Sequence, residues 1–283
     1  MITVTILGVV FLPSNEPERL PALARVADAA GLEQLWLWED CFLNSGIAAA
    51  AAALASTARL QVGIGILPVP FRNVALAAME IATLRRLFGE RAIVGIGHGV
   101  QDWVEQVGAK VASPMTLLRE YATALRALLH GETVTVSGRH VRLDEVALDW
   151  PPDPAPALLI GATGPRTLAL SGELADGTIL TGGTPPSGVR TAKLHIGAEK
   201  DHDLVVYVPV ATGPGAAERL AEQQRRYRSD NPGVAGDAKA VAEGLENWIE
   251  AGATTVVLQP TRDEPDLEGF VRFVAGEVRP LLR

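Results

Sequence analysis

LQVGIGILPVPFRNVALAAMEIATLRRLFGERAIVGIGHG, residues 60–99, decides the fold. The apolar run 60–67 reads as a strand. Helical spacing of apolar residues follows over 74–88 and stops at Gly89, a usual C-terminal signal. A second apolar run, 92–97, leads directly into His98. Strand, helix and strand in so short a span form the unit from which parallel sheets are built.

The same alternation extends in both directions. Toward the N-terminus lie predicted strands 3–11 and 35–38 and helices 18–30 and 46–57. Toward the C-terminus come a helix at 114–130, a strand at 157–160 and a helix at 165–174. Strands 178–180 and 204–210 follow, then helices 216–228 and 238–251. A strand at 254–258 and a helix at 267–282 close the series. Eight strands in one uninterrupted α/β series predict a (β/α)8 TIM barrel, with a doubly wound open sheet as the competitor. Runs 134–136 and 141–143 flank Ser137-Gly138 and predict a small hairpin, followed by a proline-rich connection at 150–156. These read as an insertion near 131–156 within one domain spanning 1–283.

Composition narrows the function classes. Of 283 residues, 48% are hydrophobic, ample for one large core, and α/β barrels often reach this length as one domain. A formal net charge of −8 opposes binding to a phosphate backbone, so nucleic acid is not an expected partner. One cysteine, Cys41, excludes an internal disulfide and a multi-cysteine metal site, and it fits a reducing compartment. The start, MITVTILGVVFLP, lacks the basic segment and long apolar run of a signal peptide. The Ala-rich segment 47–54 is too short to span a bilayer. The expectation is a cytoplasmic protein without a membrane anchor. The histidines are His98, His130, His140, His195 and His202, and no two stand four residues apart, so no metal site is expected. No G-x-S-x-G elbow points to serine catalysis.

Barrel enzymes place their chemistry at the C-terminal ends of the strands. Here those ends hold Glu39-Asp40, Gly65-Ile66, Gly97-His98-Gly99, the run Gly161, Ala162, Thr163 and Gly164, the run Thr181, Gly182 and Gly183, and Gln259. Glycine lets a ligand approach the backbone and lets amides face an anion. GATG opens a helix and TGG lies on the neighbouring strand end, which suits a phosphate. Two ordinary tight turns are the other reading. His98 can donate a hydrogen bond or move a proton near neutrality; the alternative is a turn histidine bonded to backbone. Glu39 and Asp40 are candidates for acid–base work, with helix capping the alternative for Asp40. GIGHG fails as a dinucleotide fingerprint because position 100 is Val100. Trp36 and Trp38 are expected on opposite sides of their strand. Trp103 and Trp150 are expected in loops near the mouth, where they could stack on a ring or simply pack.

Two runs carry a family resemblance. RNVALAAMEIATLRRLFGERAIVGIGHG (72–99) resembles the luciferase-like monooxygenase pattern of A-x-x-x-x-T-L, then G-x-R, then G-x-G. IGATGPRTLALSGELADGTILTGG (160–183) resembles the A-x-G-P…A-G-x-x-A-D-G signature of the same superfamily. WED-x-F and GIGHGVQDW are most similar to its coenzyme F420-dependent branch. The resemblance implies a barrel that binds the deazaflavin F420 or FMN. It implies a non-prolyl cis peptide at Gly65-Ile66 beneath the ring, and the cofactor phosphate on Ala162, Thr163, Gly164, Thr181, Gly182 and Gly183. It implies hydride transfer between F420 and a small organic substrate, with His98 or the Glu39-Asp40 pair handling the proton. The alternative is an FMN-dependent monooxygenase using reduced flavin and oxygen. Many deazaflavin members carry Asp-His where this chain has Glu39-Asp40, which shifts attention to His98. Assembly as a homodimer is compatible with all of this.

Overall fold

The computed structural model describes residues 5–198, 201–227 and 232–282. Eight parallel strands form the barrel: β1 (Ile6–Phe11), β2 (Gln34–Leu37), β3 (Gln61–Pro68), β4 (Ala92–Gly97), β5 (Leu159–Gly161), β6 (Gly177–Leu180), β7 (Asp203–Ala211) and β8 (Thr255–Pro260). Each pairs with its sequence neighbour, and the ring closes where Ile6 of β1 stands beside Thr255 of β8. The open-sheet alternative is thereby removed. A short strand, Val234–Ala235, extends the sheet beside β7.

The outer layer comprises α1 (Leu20–Ala30), α2 (Gly46–Ala55), α3 (Val74–Phe88), α4 (Pro114–Leu129), α5 (Pro165–Leu174), α6 (Pro186–Ile196), α7 (Ala238–Ala251) and α8 (Leu267–Phe273). Two further helices, Gln101–Gln106 and Ala216–Tyr227, lie in the connections after β4 and β7. The strand period of two splits β1 cleanly. Leu7, Val9 and Phe11 join the core between sheet and helices, while Val10 points into the barrel with Trp36, Ile179, Val205, Tyr207 and Val257.

That same period corrects the expectation for Trp36 and Trp38. Residues two apart face one side, and both indoles lie inside the barrel, edge-on to Tyr207 at centroid distances of 6.0 and 5.3 Å. Glycines make the room. A Cβ on Gly63 would sit 2.6 Å from the Trp36 ring, and one on Gly8 would sit 2.8 Å from it.

Some predicted elements differ in detail. The first strand was predicted from 3, and positions 3 and 4 lie outside the described residues, as does 228 at the end of the helix predicted over 216–228. Helix 267–282 is α only to Phe273; a π turn, Val274–Val278, and a 3-10 turn, Arg279–Leu281, complete it. Helix α6 went unpredicted. Pro185, Pro186 and Gly188 break the helical pattern at its start, and only Val189, Ala192 and Ile196 are buried on it. The hairpin pairs Val134–Ser137 with Arg142–Val146. The Glu120 carboxylate of α4 accepts the amides of Arg139, His140 and Val141 at 2.8–3.0 Å and fixes its tip. Among the described residues no helix is long and apolar enough to cross a membrane.

Candidate active site

The site begins with an irregularity in β3. Its pairing with β4 shifts register between Ile64 and Leu67, and the Gly65-Ile66 peptide within that interval is cis, at the place the resemblance implied. The Ile66 side chain lies against three glycines on the next two strands. Cβ atoms on Gly95, Gly97 and Gly161 would fall 3.3, 3.2 and 2.8 Å from it. The missing side chains leave Ile66 as an apolar floor at the strand ends. Gly65 answers a different neighbour: its Cβ would meet the Tyr207 hydroxyl. That hydroxyl donates to the Gly65 carbonyl at 3.5 Å. Burial pushes the Tyr207 phenol above its ordinary range, and the Asp40 charge adds to the effect.

Above this floor opens a cavity of about 420 Å³. Trp38, Asp40, His98, Trp103, Thr163 and Thr181 are among its lining residues. Gly65, Ile66, Gly161, Ala162 and Gly182 line it as well, so most of the residues singled out in the sequence meet here. Gly164 stands one step outside, as the N-cap of α5 with no side-chain cap of its own. Gly183 lines a groove between α5 and α6 and a second lobe of the mouth. Trp103 reaches the cavity from the short helix after β4. Trp150 does not: its ring is 71% exposed and lies under the Arg86 guanidinium at 5.1 Å, at the far end of α3.

His98 is held by one nitrogen. Nε2 is 3.3 Å from the Thr167 hydroxyl of α5, while Nδ1 is buried with no partner among the described residues. Burial lowers its pKa and so favours the neutral ring. A buried ring nitrogen without a partner is costly unless a ligand supplies one.

The two adjacent acids have separate situations. Glu39 gives both oxygens to the Arg72 guanidinium, at 2.5 and 3.0 Å, and accepts the Gly46 amide at 2.8 Å. Arg72 also reaches Glu80 at 3.2 Å. Asp40 has no side-chain hydrogen bond or ion pair among the described residues. It lines the cavity above Ile66 and the second lobe together, and burial raises its pKa above the ordinary carboxylate value.

The second lobe is about 670 Å³ and shares Trp38, Asp40 and Gly182 with the first. Leu12, Pro13, Gln223, Tyr227, Gln259 and Arg262 also line it. Of these, sequence reading had marked only Gln259. Tyr207 was missed too, because in VVYVPV it reads as core; its hydroxyl was the one available signal. Among the described residues, no group of three or more His, Cys, Asp or Glu could hold a metal ion.

A closed barrel, a kinked third strand beneath an apolar floor, and two glycine-rich turns on β5 and β6 define a recognisable class. The chain belongs to the luciferase-like monooxygenase family, whose profile matches residues 7–255. It is 29% identical to a 5,10-methylenetetrahydromethanopterin reductase of Methanolobus tindarius, over 89% of this chain and 73% of that protein. It is 30% identical to an F420-dependent glucose-6-phosphate dehydrogenase of Nakamurella multipartita, over 60% of this chain and 54% of that protein. An F420-dependent secondary alcohol dehydrogenase solved with an F420-acetone adduct superimposes with a TM-score of 0.86 at 20% identity, covering 99% of each chain.

Proposed function

We propose that this chain is an oxidoreductase that transfers a hydride between coenzyme F420 and a small organic substrate. The observation that carries the reading is the ring cavity itself. Ile66, Asp40 and a His98 whose Nδ1 has no partner among the described residues line it together, and Asp40 also lines a separate lobe. The F420 dependence of the Nakamurella relative supports the choice of cofactor.

The residues fit such a group. Ile66 supports a flat ring because glycines at 95, 97 and 161 keep the neighbouring strands from displacing it. His98 Nδ1, buried without a partner among the described residues, would be available to hold a polar edge of such a ring. Backbone of the 161–164 turn, at the N-terminus of α5, and of the 181–183 turn after β6 would hold the phosphate. The bound deazaflavin supplies a carbon that accepts or releases a hydride. Asp40 accepts the hydroxyl proton as the substrate carbon gives up its hydride, and it returns that proton in the reverse direction. The two hydrogens and two electrons lost by the substrate are thereby accounted for. Glu39 is a positioning residue: its ties to Arg72 and Gly46 hold the loop that carries Asp40.

On this reading the partner is a small molecule and the chain is one domain with an insertion at 131–156. A reducing cytoplasm suits its lone Cys41. Parallel titration with F420 and FMN tests the proposal. F420 is expected to bind and FMN to bind weakly. Exclusive binding of FMN would transfer the chain to the oxygen-using monooxygenases.

A further inference from the structure

The lobe beside the ring cavity has two chemically different ends. Asp40 and Trp38 stand at the end shared with the ring cavity. Gln223 and Arg262 stand among the other lining groups, with Leu12, Pro13 and Tyr227 as apolar wall. Gln223 is only 8% exposed. Its Oε1 accepts the Arg262 backbone amide at 2.9 Å, so only its NH2 donors remain. That Nε2 is buried with no partner among the described residues. The Arg262 guanidinium carries five donors, and no carboxylate pairs with it among the described residues. Glu264, two positions on, is already paired with Arg219 at 3.4 Å.

This end of the lobe therefore offers donors and positive charge, with a buried amide nitrogen lacking an acceptor. A ligand that satisfies it must bring an acceptor-only, negative group. A planar carboxylate matches the flat guanidinium fork, and the Gln223 amide lines the same lobe. The same carboxylate is repelled from the other end, where Asp40 is negative once ionised. The ends thus fix the direction in which a molecule lies.

We infer that the substrate is an organic acid, a hydroxy- or oxo-acid whose carboxylate is held by Arg262 and Gln223 while its reacting carbon lies beside Asp40. This rests on the reading of the ring cavity as the hydride-transfer site. The apolar lining from Leu12, Pro13 and Tyr227 suits an aliphatic segment of the ligand.

Calorimetric titration of 6-hydroxyhexanoate, its methyl ester and 6-hydroxyhexyl phosphate tests the inference, with F420-loaded and with cofactor-free protein. The acid is expected to bind about 10–100-fold more tightly than the ester, the range of a charge-assisted pair. Arg262→Gln and Gln223→Glu are each expected to erase that preference. Gln223→Glu keeps the acceptor for the Arg262 amide but buries a carboxylate, so its melting temperature is expected to fall and binding is measured on the protein that remains folded. Equal binding of acid and ester, a preference for the phosphate, no binding of the acid, or a preference that survives both substitutions overturns the inference. F420 affinity, followed by absorbance in the same samples, separates the two readings. Loss of the acid preference with F420 still bound rejects only the organic acid. Absence of F420 binding with the preference intact rejects only the cofactor.

Discussion

Asp40 and His98 are both pushed by burial toward their neutral forms, but removing each has a different consequence. Asp40→Asn removes the proton acceptor and keeps the shape. Turnover is expected to fall by about 10²–10⁴-fold, with F420 affinity unchanged. In the parent chain, the rate of substrate oxidation should rise with pH as Asp40 ionises, with a midpoint above the ordinary aspartate value of 3.8. Stability moves the other way. The folded pKa is raised, so the Asp40 contribution is fully present below the unfolded pKa and is lost as pH rises through the folded one. Thermal melts should therefore find Asp40→Asn at least as stable as the parent at pH 7.5, with the gain vanishing in acid. His98 has the opposite sign. Its folded pKa is lowered from 6.5, so its contribution is present above pH 6.5 and fades as pH falls through the folded value. His98→Ala is expected to cut turnover far more than it lowers the melting temperature. His98→Gln should recover part of the rate if the role is hydrogen bonding and little if it is proton transfer. Normal turnover in His98→Ala would leave the imidazole a packing role only.

At the scale of elements, the glycines make two separable forecasts. Gly164 caps α5, and a Cβ there meets nothing within 4 Å. Aspartate is among the best N-cap residues, so Gly164→Asp should hold or slightly raise the melting temperature. It also sets a negative charge where the phosphate is expected, so F420 binding should be lost in the same sample. A folded Gly164→Asp protein with normal affinity would move the phosphate elsewhere. Gly65 behaves differently, since a Cβ there collides with the Tyr207 hydroxyl. Gly65→Ala should cost about 1–3 kcal/mol in a denaturant titration. Tyr207→Phe should return part of that loss, because the hydroxyl is the nearest obstruction. Additive losses would show that the backbone, rather than the phenol, sets the requirement.

These elements also show what a sequence can disclose. Strand β3, helix α3 and strand β4 were legible because apolar periodicity and a terminal glycine agree over a long span. Helix α6 was not, because two prolines open it and few of its residues are buried. The glycine turns were legible because glycine has few reasons to cluster at strand ends. Arg262, Gln223 and Tyr207 were not, because each gains meaning only from a neighbour on another strand or helix. The division of labour between Glu39 and Asp40 was hidden for the same reason: Arg72 lies 33 residues away from Glu39.

For the molecule as a whole, cofactor binding and folding are linked. A ligand that binds only the folded barrel stabilises it by about 2.7 kcal/mol at a hundredfold excess over Kd. F420 should thus raise the melting temperature in a concentration-dependent way, and FMN at the same concentration should not. An unchanged melting temperature under saturating F420 would contradict the proposed cofactor.

The seam between β1 and β8 also sets a timetable for synthesis. Ile6 lies beside Thr255, so the first strand waits for the eighth before one of its edges is covered. At about 5–20 residues per second, the 248 residues between those partners take roughly 12–50 s to emerge from a ribosome. Throughout that interval, a run of β-branched residues presents open backbone donors and acceptors to other nascent chains. The finished ring has no such edge at this seam. The hazard belongs to the unfinished chain, and slower translation or crowded polysomes should increase the fraction lost to aggregation without altering the stability of the protein that escapes it.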